Sequence, residues 1–392
     1  MSERQAMLVN LAAELADEFA TRADEHDRDG SFPVENVARM KETGYTALLI
    51  PQRNGGLGAD LMDYVLCQER LAQGCAATAL AINMHLFGLG SMVEHSDFNP
   101  REALFFDMIG RHQRIIGGGI SEPETGGDWG FFASKARRDG DHYVLNGRKV
   151  FTSLSPVIDL FMVMATIEDS TPPASATFVI PRGTPGLELI ETWDAMGMRA
   201  TASHDLKLDN VRVGEAAKSN ERPVGPVDQD GISLFAWFSL SIAAIYTGIA
   251  VAALKFTREF AGRYQPLLLP RPIKYLPGIQ FAVAQAEALV AQSRALYTGI
   301  ASEYMRDRAA FTGEAGLARV VMPKYVATNN AILAVDQCME AVGAHGILRK
   351  FPMQRYYRDV RAGPNHPLSN ARARELIGKT SLGIALSELP RW

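Results

Sequence analysis

Three cysteines in 392 residues, Cys67, Cys75 and Cys338, are too few and too scattered for a disulfide framework. No CxxC pair is present to hold zinc, and so sparse a set fits a reducing, cytoplasmic setting. Neither sign of charge is in surplus. Forty Lys and Arg stand against 44 Asp and Glu, a net charge of −4, so no basic face is expected and nucleic acid is excluded as the main ligand. The generic catalytic signatures are missing too: there is no GxGxxG after a strand, no Walker loop, no HExxH and no GxSxG. The opening MSERQAMLVNLAAELADEF has no continuous apolar core, so no secretory signal is read there. Charge is also absent from one long stretch, Ile232 to Leu254, whose 23 residues are long enough to span a bilayer. It stands alone, without a basic cluster before it, and reads as the central helix of a bundle rather than a membrane span.

What remains is a globular composition, 47% apolar and 21% charged, at a length that predicts two or three domains. Residues 1–115 read as helices. They comprise an amphipathic run from about Arg4 to His26, a helix from Val34 to Thr43 with Pro33 at its first turn, a glycine break at 55–58, a helix capped by Asp60, and a buried helix over 76–92. Residues 116–226 change to period two. Strands are expected over 139–153 around an Asn146-Gly147 turn, at 161–166, at 177–180, and over 206–213 around an Asp209-Asn210 turn. Their spacing predicts a small sandwich or barrel. Asn220 to Gly231 reads as a linker. Residues 227–392 return to helix, with periodic runs at 232–262, 278–308, 317–345 and 369–386 that predict a four-helix bundle.

Five segments stand out: PQRNGGLG at 51–58, GGGISEPETGGDWG at 117–130, NGRKVFTS at 146–153, WDAMGMRATASHDLKLDNVRV at 193–213, and MEAVGAHGILRKFPMQRYYRDVRAG at 339–363. Glycines let backbone amides approach a ligand closely, Ser121 adds a hydroxyl, and Glu122-Pro123 stiffens the turn. Each segment alone is also compatible with a plain structural role. In this order and register they resemble the acyl-CoA dehydrogenase superfamily over nearly the whole chain. SEPETGGD matches its T-E-P-x-A-G-S-D pattern, and GAHGILRKFPMQRYYRD matches its closing glycine and Arg-Asp element.

The resemblance implies a mostly α fold with a middle β domain: an N-terminal helical domain, a middle β-barrel and a C-terminal four-helix bundle. It implies a flavin between the middle domain and the bundle, usually FAD with FMN possible, in a homotetramer or homodimer. Carried over by position, Ile120 and Ser121 line the flavin pyrimidine. Phe151 replaces the family's Trp beside the ring, and Ser153 replaces the Thr near flavin N5. Glu340, Gly343 and Gly346 lie along a neighbouring subunit's adenosine end, and Arg263 or Arg271 supplies a pyrophosphate cation. His85, Trp129 and Phe238 are candidate substrate-wall residues, although His85 also reads as a satisfied core histidine.

The family's catalytic Glu stands at one of two places, which here are Pro367 and a position near Phe238. Neither is acidic. His366, beside the first, is the candidate base or acid, with a turn or capping role as its plain alternative. Two chemistries follow. One is α,β-dehydrogenation of an acyl thioester, with hydride transfer to N5 and electrons passed to an electron-transfer flavoprotein. The other is that of the superfamily's monooxygenase branch, which lacks the Glu and carries a Ser and a His like Ser153 and His366. There, reduced flavin from a reductase forms a C4a-hydroperoxide that attacks an aromatic, sulfur or nitrogen compound.

Overall fold

Capping divides the N-terminal residues into short helices. The structure, a computed structural model, describes residues 2–126, 132–224 and 229–388. Helices α1 (Glu3–Ala20) and α2 (Ala23–Asp29) replace the single run expected from Arg4 to His26. At the break the Thr21 hydroxyl donates to the Glu18 carbonyl, competing with the backbone ladder. Next come α3 (Val34–Glu42), α4 (Leu61–Ala72), α5 (Ala76–Glu94) and α6 (Pro100–Gly110). Asp60 and Asp63 form a reciprocal capping box at the start of α4.

The middle residues form β1 (Ile116–Gly119), β2 (Lys135–Asp139), β3 (His142–Thr152), β4 (Leu160–Ile167), β5 (Ala174–Pro181), β6 (Leu187–Ile190), β7 (His204–Gly214) and β8 (Lys218–Pro223). They make one eight-stranded sheet, ordered β6-β7-β3-β2-β4-β5-β8, with β1 parallel to β4. Two expected turns are corrected. Asn146-Gly147 and Asp209-Asn210 lie inside β3 and β7, where they face each other across a register shift. The Asn210 N–H donates to Asn146 Oδ1 at 2.8 Å, so the pair makes a bulge rather than two hairpins. The chain reverses instead at Gly140, whose φ of +64° suits the turn between β2 and β3.

Helix α7 (Gln229–Arg263) has 35 residues, about 50 Å of helix, and is packed by α4, α5, α8 (Pro277–Arg306) and α9 (Gly313–Val342). Its apolar surface is therefore satisfied by protein on all sides. Both α5 and α7 are long and apolar enough to cross a membrane, yet most of each apolar stretch is buried inside the fold. Gly248 explains how α4 comes so close: a Cβ there would sit 2.4 Å from the Glu69 carbonyl oxygen. After α10 (Met353–Asp359), the fourth bundle helix α11 (Asn370–Leu382) has 13 residues and stops before the expected 386. The N-terminal and C-terminal helices are joined through charge. Asp27 of α2 pairs with Arg358 of α10, and Glu69 of α4 accepts from Arg294 and Tyr297 of α8.

Candidate active site

A cavity of about 850 Å³ opens where the sheet, α5, α7 and the segment between α10 and α11 converge. Leu80, Met84 and Phe87 face it from α5 at helical spacing, and Phe238 faces it from α7. The ends of two strands supply Ile120 and Ser121, and Val150, Phe151 and Ser153. The connection 193–203 adds Trp193, Met198, Thr201 and Ser203, while His366 and Arg372 come from the C-terminal segment.

Beneath the strand edge lies an ion pair that the sequence reading passed over. Lys149 Nζ is 2.6 Å from Glu122 Oε1, and both side chains are fully buried. Lys149 also donates to the Met164 carbonyl, and Glu122 accepts from the Ser134 N–H at 2.8 Å. Burial pushes the Glu122 carboxyl up, but the bonds from Lys149 and Ser134 outweigh it and hold the group ionised below its usual range. Because Glu122 follows Ser121, and Val150 N–H donates to the Ser121 carbonyl, this pair fixes the edge that faces the cavity.

Phe151 adopts a left-handed backbone, φ +59°, and leaves its ring 63% exposed, edge-on to Trp193 at 6.2 Å. Two residues on, Ser153 Oγ lies 2.7 Å from Ser203 Oγ. Ser203 continues to Thr201 Oγ1 at 2.7 Å, and Thr201 donates to the Met198 carbonyl. Asp359 is buried with its carboxyl raised to about 6 by desolvation, and its Oδ1 accepts the Met198 N–H at 2.7 Å. The Arg358-Asp359 element therefore sets the cavity's far wall.

His366 lies against Phe238 and Tyr246, with Nε2 2.8 Å from the Tyr246 hydroxyl. Desolvation and the Lys324 ammonium hold its pKa down to about 3, so the imidazole is neutral at pH 7. Lys324 is itself fully buried, and its Nζ donates to the carbonyls of His366 at 2.9 Å and Leu368 at 2.8 Å. Among the described residues lining the cavity there is no Asp or Glu, whereas Arg358, Arg361 and Arg372 all line it.

The cavity thus gathers Ile120, Ser121, Phe151, Ser153, Phe238 and His366 of the residues picked from sequence. It does not gather His85, and the substrate-wall reading of that residue is corrected. His85 is fully buried, accepts the Ile116 N–H at Nδ1 and meets the Thr46 carbonyl at Nε2, 2.9 Å away. Burial lowers its pKa to about 4, making it a neutral core histidine that ties α5 to β1; its neighbour Met84 faces the cavity instead. Arg271 stacks on Tyr275 at the exterior, Glu340 and Gly343 are exposed, and Gly346 is buried against Met339. None of these four lines this chain's cavity. Trp129 lies outside the described residues. Sequence reasoning missed Lys149, Tyr246 and Lys324. Lys324 had a signal: it shares a helix face with Val320, Ala327 and Thr328, all apolar or small and all buried.

Domain families agree with this arrangement. Residues 2–96, 117–211 and 240–371 match the acyl-CoA dehydrogenase N-terminal, middle and C-terminal domains. The chain belongs to the acyl-CoA dehydrogenase family. Among its relatives is a putative acyl-CoA dehydrogenase, YdbM, of Bacillus subtilis, 37% identical over 93% of this chain and 94% of that protein. A 3-(aryl)acrylate reductase of Clostridium sporogenes is 30% identical over 92% and 93%. Among solved structures, KijD3 in complex with FMN and a dTDP-linked amino-keto sugar aligns with a TM-score of 0.89 and 25% identity, over 99% of this chain and 96% of that one. Butyryl-CoA dehydrogenase of Megasphaera elsdenii shares the fold at a TM-score of 0.87 and 21% identity, over 97% and 99%. The family makes this chain an acyl-CoA dehydrogenase-like flavoprotein oxidoreductase.

The residues present fit a flavin. A cavity of this size takes a ring system and a substrate together. The exposed Phe151 and the half-buried Trp193 offer aromatic surface for the ring, the Ile120–Ser121 edge offers polar contact, and the Ser153 hydroxyl offers a hydrogen-bonding group.

Proposed function

We propose that the chain is a reduced-flavin-dependent monooxygenase acting on a small aromatic, sulfur or nitrogen compound. The observation that carries this reading is the composition of the cavity wall: both positions that would hold a catalytic carboxylate are apolar, and His366 stands beside them as a neutral imidazole. Removing an α-proton from a thioester needs a base of ordinary strength. An imidazole held at about 3 is weaker than a free one by roughly three orders of magnitude. The flavin, when bound, supplies two electrons to dioxygen; one oxygen atom enters the substrate and the other leaves as water. The chain supplies the rest. Ser153 holds the ring edge through its hydroxyl chain, Phe87 and Phe238 exclude water, and His366 orients the substrate.

The alternative is α,β-dehydrogenation of an acyl thioester with hydride transfer to flavin N5, favoured by the names of the relatives at 37% and 30% identity. The two readings have different electron partners: a flavin reductase delivers electrons in the first, and an electron-transfer flavoprotein removes them in the second. FAD and FMN both suit the cavity, and the FMN-bound neighbour supports FMN as much as the family pattern supports FAD. A homodimer or homotetramer fits the exposed Leu267, Leu268, Phe281 and Ile347 of the C-terminal domain, and would bring Arg271, Glu340 and Gly343 to a second copy's cofactor. Such a protein would work in the cytoplasm, where its three free cysteines stay reduced.

The test is anaerobic. Oxidised, flavin-loaded protein is mixed with a panel of short, branched and aromatic acyl-CoA thioesters. The monooxygenase reading predicts no bleaching of the flavin by any of them, and substrate oxygenation once a reductase and NADH are added in air. Rapid bleaching by one thioester would establish the dehydrogenase instead.

A further inference from the structure

We infer that Tyr246 is a positioning residue for His366: its hydroxyl donates to Nε2, fixes the imidazole as the Nδ1–H tautomer, and so presents a hydrogen-bond donor, not a base, to the cavity. Tyr246 is fully buried in α7, and the 2.8 Å contact with His366 Nε2 is the one hydrogen bond its hydroxyl makes among the described residues. A phenol has a single O–H. Leaving that donor unpaired in an apolar wall costs more than leaving a lone pair unused. If Nε2 carried a proton, the phenolic hydrogen would have to turn away into that wall. The lower-energy arrangement has Tyr246 donating and Nε2 accepting. No described residue bonds to Nδ1, which is the nitrogen left for the cavity that His366 lines.

The loop that carries His366 is held from below by a second buried group. The three N–H donors of Lys324 meet three carbonyls, those of Pro364 at 3.5 Å, His366 at 2.9 Å and Leu368 at 2.8 Å. Burial lowers the Lys324 pKa to about 7, and in its charged form it opposes protonation of the ring above it. Arg361, paired with Asp336, and Arg372 also line the cavity, and Asp359, which faces Tyr246 from α10, is already engaged by the Met198 N–H. Burial also raises the Tyr246 pKa well above its usual value, so the hydroxyl keeps its proton and does not relay it through the ring. A neutral Nδ1–H then serves an oxygen atom in the cavity, the substrate's own or that of dioxygen. The role in turnover rests on the monooxygenase reading; the tautomer does not.

The test separates the two. Full-length protein labelled with ¹⁵N-histidine is studied by long-range ¹H–¹⁵N correlation between about pH 5.5 and 8.5, where an ordinary histidine titrates. The His366 signals are identified by their loss in His366→Gln. The expected result is an invariant Nδ1–H pattern in the parent protein and a mixture of both tautomers in Tyr246→Phe. With a reductase and substrate, Tyr246→Phe should lower kcat roughly tenfold and leave flavin affinity unchanged. An Nε2–H tautomer in the parent protein, or titration of His366 in that range, overturns the inference, and the parent spectrum decides even if Tyr246→Phe folds poorly. A protein bleached by acyl-CoA would overturn the monooxygenase reading and leave the tautomer result standing.

Discussion

Replacing Lys149 by Met removes the cation from a fully buried ion pair without opening a large void. Glu122 keeps hydrogen bonds from the Ser134 N–H at 2.8 Å and Thr125 Oγ1 at 3.0 Å, so its carboxylate is left with donors but no counter-charge. Breaking such a pair from one side costs about 3–5 kcal/mol, and the surviving donors place Lys149→Met near the lower end. Glu122→Gln leaves a buried ammonium holding only carbonyls, chiefly that of Met164, and should cost at least as much. The double variant carries no unpaired charge and should lose only about 1–3 kcal/mol, less than either single change. Urea unfolding of the flavin-free protein, followed by tryptophan fluorescence, gives the four stabilities. A coupling energy of more than about 2 kcal/mol is expected, along with weaker flavin binding in both single variants because the Ile120–Ser121 edge loosens. Additive losses, with coupling under about 0.5 kcal/mol, would refute the claim that the pair acts as a unit.

Three further outcomes follow from the same structure. His85 and His366 titrate at about 4 and about 3 when folded, below the ordinary 6.5, so each neutral ring favours folding above about pH 6.5 and that contribution is lost as pH falls. Between pH 6.5 and 4.5 each should cost about 2–3 kcal/mol, and His366→Gln should flatten this acid limb of the urea midpoint; an unchanged limb would show that His366 is not held neutral by the fold. Gly248→Ala places a methyl 2.4 Å from the Glu69 carbonyl oxygen, forcing α4 off α7 and lowering stability by about 1–3 kcal/mol in thermal unfolding; no loss would mean the two helices are not so close. Lys324→Met strands the carbonyls of His366 and Leu368, and should lower kcat with little change in flavin affinity, read by turnover and flavin fluorescence; wild-type kcat would show that the loop stands without it.

Much of the architecture was legible because it is written in periodicity. The uncharged run at 232–254 has no polar stripe, which only a helix buried on every side tolerates, and α7 is that helix. Short-range turn chemistry misled: Asn146-Gly147 is a hairpin signal, but Asn210 across the sheet uses the same residue type to build a bulge, and a pairing 64 residues away has no local trace. The strand and C-terminal motifs pointed to Ser153 and His366, and both line one cavity, whereas His85 was ambiguous because a polar residue on an apolar helix reads alike whether it faces a pocket or two backbone groups. Lys324 was legible as a lysine on a buried helix face, but neither it nor Tyr246 was legible as a site residue. Their importance comes from which loop folds over them, and the sequence of α7 and α9 carries no mark of that loop.

The most direct test of the proposed function is rapid mixing of the reduced, flavin-loaded protein with oxygenated buffer while absorbance is recorded. The account predicts a transient species, spectrally distinct from both reduced and oxidised flavin, that outlives mixing by seconds or more and decays faster in Ser153→Ala. A direct return to oxidised flavin with no such species, at the same rate in Ser153→Ala, would contradict it.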